Sequence, residues 1–236
     1  MATFLSMTNE VLRRINEVPI AESDFSTTRN IQGLAKDAVN NSIRHILQSA
    51  QQWPFTVTVY EQVLTAGTRE YDFPADLSVI DYESFYTKPD TSLNTSGGAL
   101  GQMDHDQYQR YYRSADDQRQ DGDYAEPTHV YKTQQNKFGL TPTPDKAYTV
   151  EYKYWSFPSD LSNASDTPVI PDRFKHIIIE GAMVFLMRFR SNEQAAAMHE
   201  KKFEDGINMM RRLLQQPVSQ VTSTVVNKNT SYIVNV

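Results

Sequence analysis

Val169 to Phe189 reads VIPDRFKHIIIEGAMVFLMRF. Its last thirteen residues, Ile177 to Phe189, hold eleven apolar residues counting Gly181, interrupted only by Glu180 and Arg188. A membrane-spanning helix needs about 20 consecutive apolar residues. This run falls short, with Glu180 inside it and His176 and Arg188 at its edges. A helix that is apolar all round belongs where other helices cover it on several sides. The stretch is therefore read as the central helix of a soluble helical core. Asp172 follows Pro171 at its start, where an anionic residue suits the exposed amide dipoles. The pattern carries it to about Arg190.

The flanking sequence supplies the covering helices. Ser191 reads as the N-cap of a helix from Asn192 to about Gln215, with Ala196, Phe203, Ile207, Met210 and Leu214 in one stripe. Glu193 and Glu200 stand early in it and Arg211 and Arg212 late, as the helix macrodipole favours. At the other end of the chain, Thr3 is a plausible N-cap for a helix to about Glu17. Phe4, Leu5, Val11, Leu12 and Ile15 share one face of it, and Pro19 closes it. A second helix runs from near Thr28 to about Gln52. Its stripe is Ile31, Leu34, Ala35, Ala38, Val39, Ile43, Ile46, Leu47 and Ala50. The simplest packing brings both pairs together as a four-helix bundle. Its predicted core is Leu12, Ile15, Leu34, Val39, Ile43, Ile46, Ile178, Phe185, Phe203, Ile207 and Met210.

Between the pairs the period changes. After Trp53-Pro54, Val57, Val59 and Val63 alternate with Thr58, Tyr60 and Gln62, and Tyr71 and Phe73 alternate beyond an Ala66-Gly67-Thr68 turn. Further strands are predicted over 78–86, 128–133, 138–141 and 148–157. In the last of these Val150, Tyr152 and Tyr154 face one way and Glu151, Lys153 and Trp155 the other. Asp90 to Gln102 reads as a polar, glycine-rich loop, and Asp104 to Arg113 as a short helix. The fold class is α+β: bundle halves at 1–53 and 168–216, an inserted β-rich module at 54–167, and an extended C-terminal arm at 217–236.

The arm, PVSQVTSTVVNKNTSYIVNV, carries one charge, Lys228, and is rich in Val, Thr and Ser. Chain ends commonly fray, but disordered segments are usually more charged and less β-branched. The composition suits a strand added to a neighbouring molecule, with Val218, Val221, Val225, Val226, Tyr232, Ile233 and Val234 as its docking residues.

Little in the chain points to chemistry. The 236 residues carry a net charge of −6, which argues against wrapping DNA through phosphate neutralisation. No cysteine is present, so disulfide and thiolate chemistry is excluded. The N-terminus lacks the basic-then-apolar order of a signal peptide. His45, His105, His129, His176 and His199 are scattered, and no pair has zinc-helix spacing. DQRQDGD at 117–123 hints at a calcium loop, but its third position would be Arg119 and its twelfth Thr128. Asp104 and Asp106 are a carboxylate pair with no positioned base, nucleophile or metal ligand beside them. No metal and no cofactor is expected. From Asp104 to Glu126 seven acids face three arginines. A solvated loop is the plain reading; a negative rim that keeps passing DNA from sticking, built on Asp116, Asp117, Asp121 and Asp123, is the functional one. Tyr108, Tyr111, Tyr112 and Tyr124 suit either an interface or a plain module surface.

Six stretches carry a resemblance by their order and spacing. They are TFLSMTNEVLRRINEV, LAKDAVNNSIRHI followed by WPF, TAGTREYDFPADLSVID, LTPTPDKAYTVEYKYW, VIPDRFKHIIIEGAMVFLMRF and KFEDGINMMRRLL. Together they resemble the head-to-tail adaptor proteins of short-tailed bacteriophages, the group also called tail tubular protein A. The resemblance covers the chain up to about Leu214. It implies a structural virion protein of the tail or neck, assembled in the host cytoplasm, with no catalysis, no cofactor and no membrane. It also implies a homo-oligomeric ring of twelve that joins the capsid portal to a tail nozzle protein and surrounds the passing double-stranded DNA without reading its sequence. The arm is then the candidate for reaching the portal. A DNA-binding or packaging accessory module is the alternative, and the absence of a basic stripe counts against it.

Overall fold

Thr3 starts the first helix as its residue type dictates. Its Oγ1 accepts from the Ser6 N–H at 3.2 Å, while the Ser6 hydroxyl oxygen accepts from the Thr3 N–H at 2.9 Å. Helix α1 spans Phe4–Arg14 and stops three residues before the expected Glu17, where Asn16 turns into the left-handed region. Helix α2 spans Asn30–Ser49. The Trp53 indole N–H donates to the Ile46 carbonyl at 2.9 Å, pinning the chain as it leaves α2. The structure is a computed structural model and describes residues 2–50, 52–118, 124–133 and 137–214. Two assignments of helix starts are corrected. Asp172 lies in a 3₁₀ turn, Asp172–Phe174, ahead of the fifth helix, and accepts the Ala2 N–H at 2.7 Å. Ser191 is not a cap: its φ of 57° makes the turn into the sixth helix, and Asn192 Oδ1 accepts from the Ala195 N–H at 3.1 Å.

Helices α5 (Lys175–Phe189) and α6 (Glu193–Leu214) join α1 and α2 in one apolar core. The segments from the two ends of the chain thus meet. α5 packs on α1, α2 and α6. Leu12, Ile15, Val39, Ile46, Ile178, Phe203, Ile207 and Met210 are buried in this core, and Leu34 and Ile43 lie half-buried against it. Where α2 crosses α5, the Ser42 hydroxyl donates to the Ile178 carbonyl at 2.9 Å. Gly181 makes that approach possible: a Cβ there would sit 2.2 Å from the Ser42 Oγ and 2.6 Å from the Phe203 ring. Phe185 is the exception among the predicted core residues, and it is 37% exposed. It continues the stripe of Ile178 and Gly181, but at the C-terminal end of α5, beyond the cover that helices of its own chain provide.

The middle of the chain forms two four-stranded sheets. The strands are β1 (Val57–Val63), β2 (Glu70–Asp72), β3 (Leu77–Thr87), β4 (Gly98–Ala99), β5 (Gly101–Met103), β6 (His129–Lys132), β7 (Lys137–Thr141) and β8 (Thr149–Ser156). One sheet has the order β1-β8-β3-β4 and the other β2-β7-β6-β5. Strand β4 arises within the segment expected to be a loop and β5 across its end; both are too short for an alternation to show. Between β5 and β6 lie α3 (His105–Tyr111) and α4 (Arg113–Gln118). Inward residues of both sheets share an aromatic core. Phe85 stacks on Tyr152 at 4.6 Å, and Phe138 of the second sheet meets the same Tyr152 at 5.5 Å. Val150, Tyr152 and Tyr154 are buried, on the side the alternation of β8 groups them. Strand β1 is turned the other way: Val57, Val59 and Val63 are exposed.

From Phe157 the chain returns as a strap across the helices. Asn40 clamps it with two bonds, its amide N–H donating to the Leu161 carbonyl at 3.0 Å and its Oδ1 accepting from the Leu161 N–H at 3.2 Å. The same strap caps α1, because the carbonyls of Asp166 and Ala164 accept the N–H groups of Phe4 and Leu5. Phe157, Leu161, Ala164 and Ile170 pack with the helical core.

Candidate assembly site

Three features of the molecule bear on what it contacts. The first is the C-terminal end of α5. Phe189 is 66% exposed and lies one turn beyond Phe185. On α6, Met198, Met209 and Leu213 are exposed on one side of the helix, opposite the buried Phe203, Ile207 and Met210. Isolated exposed apolar residues are ordinary. Two phenylalanines a turn apart at the end of a helix that is apolar all round form a face, and faces of this kind mark contact sites.

The second feature is a polar tie that fixes this helical face. Glu180, the glutamate inside the apolar run, is only 16% exposed at its side chain and receives Arg14 at 2.7 Å and the His199 Nδ1 at 2.7 Å. Arg14 also reaches Glu10, which holds Lys175 at 2.8 Å, so α1, α5 and α6 are joined through one network. Burial by itself would raise the Glu180 carboxyl; the hydrogen bonds from His199 and Arg14 outweigh it and hold the group below its ordinary value. Glu10 is likewise lowered, with burial opposed chiefly by its hydrogen bond from Lys175. Both carboxyls titrate lower in the folded state than in the unfolded chain. Their contribution is therefore complete above the ordinary carboxylate range and is lost as pH falls through the lowered values. Glu180→Ala is expected to cost about 1–3 kcal/mol at neutral pH. Chemical denaturation at pH 7 and at acid pH measures this, and the difference between variant and parent should shrink in acid.

The third feature is the distribution of charge. Residues 57–156 contain 16 of the 29 acids and 9 of the 23 lysines and arginines, so the whole of the net negative charge lies in the β-rich region. Of the four residues of the predicted rim, Asp116 and Asp117 are described. Asp116 is 6% exposed and accepts from the Thr141 hydroxyl at 2.7 Å, because α4 lies over β7 and turns this side chain inward. Asp117 is exposed but occupied by Arg69 at 2.9 Å and Arg113 at 3.4 Å, and Arg69 leads the causes that hold its carboxyl low. Asp121 and Asp123 lie outside the described residues. So do the seven predicted docking residues of the arm, Val218, Val221, Val225, Val226, Tyr232, Ile233 and Val234. Of the tyrosines, Tyr108 is buried against Tyr131 with the rings 3.8 Å apart, whereas Tyr111 is exposed.

The chemical candidates find structural roles. Asp104 is the N-cap of α3, its N–H donating to the Gln107 Oε1 at 3.2 Å. His199 serves the Glu180 tie, and the His45 ring packs 5.3 Å from Phe203. Among the described residues no three His, Cys, Asp or Glu side chains converge as metal ligands. No helix among them is long and apolar enough to cross a membrane. Sequence reasoning missed the exposed face of α5, since a helix without a polar side gives no signal for which side its own chain leaves bare.

Comparison with known protein families matches residues 2–227 to the family described as SU10 adaptor protein. No curated protein matches the chain. The family match spans nearly the whole order of helix pair, two sheets and helix pair. The chain belongs to the SU10 adaptor protein family, a family of structural phage adaptors.

Proposed function

We propose that this chain is the subunit of a virion ring, twelve copies round, that joins the capsid portal to the tail nozzle and encloses the DNA exit channel. In this reading α1, α2, α5 and α6 form a four-helix bundle that is the ring-forming body, residues 54–167 are an inserted module, and 217–236 are an arm that grips a neighbour. The observation that carries the reading is the exposure of Phe185 and Phe189 on a helix whose other apolar residues are buried or half-buried. A closed ring needs heterologous contacts, with one patch of each copy covered by a different patch of the next. The net negative charge of the β-rich region supports passage of DNA without adhesion, since like charges repel over about 8–10 Å at moderate salt.

Phe189→Asp separates assembly from folding. Surface changes usually alter stability by less than about 0.5 kcal/mol, so thermal unfolding of the isolated variant should match the parent. A charge placed in an apolar contact is costly, so ring formation should be lost, as read by native mass. A variant that assembles normally would remove this face from the interface.

A further inference from the structure

Strand β1 is an open edge of unusual character. Edge strands of monomers are normally kept short, charged, bulged or interrupted by proline, because an unpaired row of N–H and C=O groups recruits another strand. The other sheet edges here are short: β4 has two residues, β2 three and β5 three. β1 has seven, VTVYEQV, with no proline and no lysine. Its register against β8 is unbroken from Val57–Trp155 to Val63–Thr149, whereas the β3–β8 pairing on the other side shifts twice. Its one charge, Glu61, is held by Lys88 at 2.8 Å.

The ladder fixes which groups are unused. The Leu64 N–H donates to the Tyr148 carbonyl, so even-numbered residues of β1 face β8. The backbone groups of Val57, Val59 and Glu61 then point to the open edge, as does the Val63 N–H; the Val63 carbonyl accepts from its neighbour Gln62 at 2.8 Å. The side chains flanking this edge are apolar where a solvated edge would be polar. Val59 and Val63 are 57% and 59% exposed, and Tyr60 is exposed on the opposite face.

The chain carries a matching strand. Val218 to Val226, VSQVTSTVV, has no charge and no glycine. Val221, Ser223 and Val225 would line one face of an extended segment and Thr222, Thr224 and Val226 the other, so either face suits a pleated surface. Its point of origin also fits. In the last turn of α6 the Arg211 guanidinium donates to the Ser49 carbonyl at the end of α2, and from there the chain needs only eight more residues to enter β1. Leu214, the last described residue, therefore lies at the end of the helices from which the chain runs on to β1.

We infer that residues 218–226 of one copy add as a strand to the open edge of β1 in the adjoining copy. The inference rests on the ring reading. Each copy then offers one edge and one strand, and head-to-tail donation around a closed ring leaves none of either unused. Edge closure becomes conditional on assembly.

The chain has no cysteine, so introduced thiols are the only ones present. The test co-assembles V59C chains with V221C chains, and separately with V225C chains, since a disulfide demands a Cβ separation near 3.8 Å and the register is open by a residue or two. Val59 is exposed, so its replacement leaves folding intact. Mild oxidation of assembled rings is expected to give, at one of the two tail positions, a covalent pair at twice the 27.0 kDa chain mass on a non-reducing gel. Rings that form, by native mass, without that pair at either position overturn strand donation alone. A disulfide closed within one chain of the V59C/V221C double variant, in monomer and ring alike, also overturns it. A parent chain that never assembles overturns the ring reading together with it.

Discussion

Phe203→Asp is expected to leave the subunit without a cooperative unfolding transition at room temperature. Phe203 is 5% exposed on α6, beside the His45 ring of α2 and within 2.6 Å of where a Gly181 Cβ would stand. Both contacts belong to the junction of α2, α5 and α6. A carboxylate there would stand within the apolar core, where a buried charge costs several kcal/mol. The loss of ring packing adds about 3–5 kcal/mol, the usual range for removing a buried phenylalanine. Against a total stability of about 5–15 kcal/mol for a domain, the sum removes most or all of it. Phe203→Leu, which keeps an apolar side chain, should fold and lose much less. Far-ultraviolet circular dichroism through a thermal scan distinguishes them. An unchanged melting temperature for the aspartate variant would mean that Phe203 is not in the core.

Tyr152→Ala should have the second largest effect, on the other core. Tyr152 lies 1% exposed on β8, stacked on Phe85, edge-on to Phe138 and 6.2 Å from Phe73. Rings from both sheets contact it. Truncation removes a large buried aromatic and leaves a cavity, for about 3–5 kcal/mol. The near-ultraviolet dichroism of the aromatic cluster reports it directly. The helical core is a separate set of residues, so helix signal should be lost less than aromatic signal at intermediate denaturant. Equal loss of both would show that the sheets and helices unfold as one unit.

These two cores show what a sequence makes legible and what it hides. The stripe of α2 from Ala35 to Leu47 repeats every three or four residues, so the buried face could be read directly. The same held for β8, where aromatic and apolar residues alternate with charged ones. Strand β1 also alternates, but alternation defines two faces without saying which is inward. There, the tyrosine side meets Tyr152 and the valine side is left bare. Phe185 misled for a related reason. In a helix with no polar face, exposure depends on where neighbouring helices end, and periodicity carries no trace of that. Asp116 misled because aspartates are mostly exposed; its burial depends on Thr141, 25 residues on, brought beneath α4 by the sheet. Strand β4, with two residues, is below the length at which any period exists. The strap after Phe157 has no period either, and its place is set by Asn40 and by the bare N–H groups of α1.

The central claim is that copies of this chain close on one another and on a portal. Native mass spectrometry of the purified chain, alone and mixed with a portal ring, tests it most directly. The account predicts a mixed species in which the portal carries twelve copies of the 27.0 kDa chain. A chain that stays monomeric in the presence of the portal, with no species of higher mass, would contradict it.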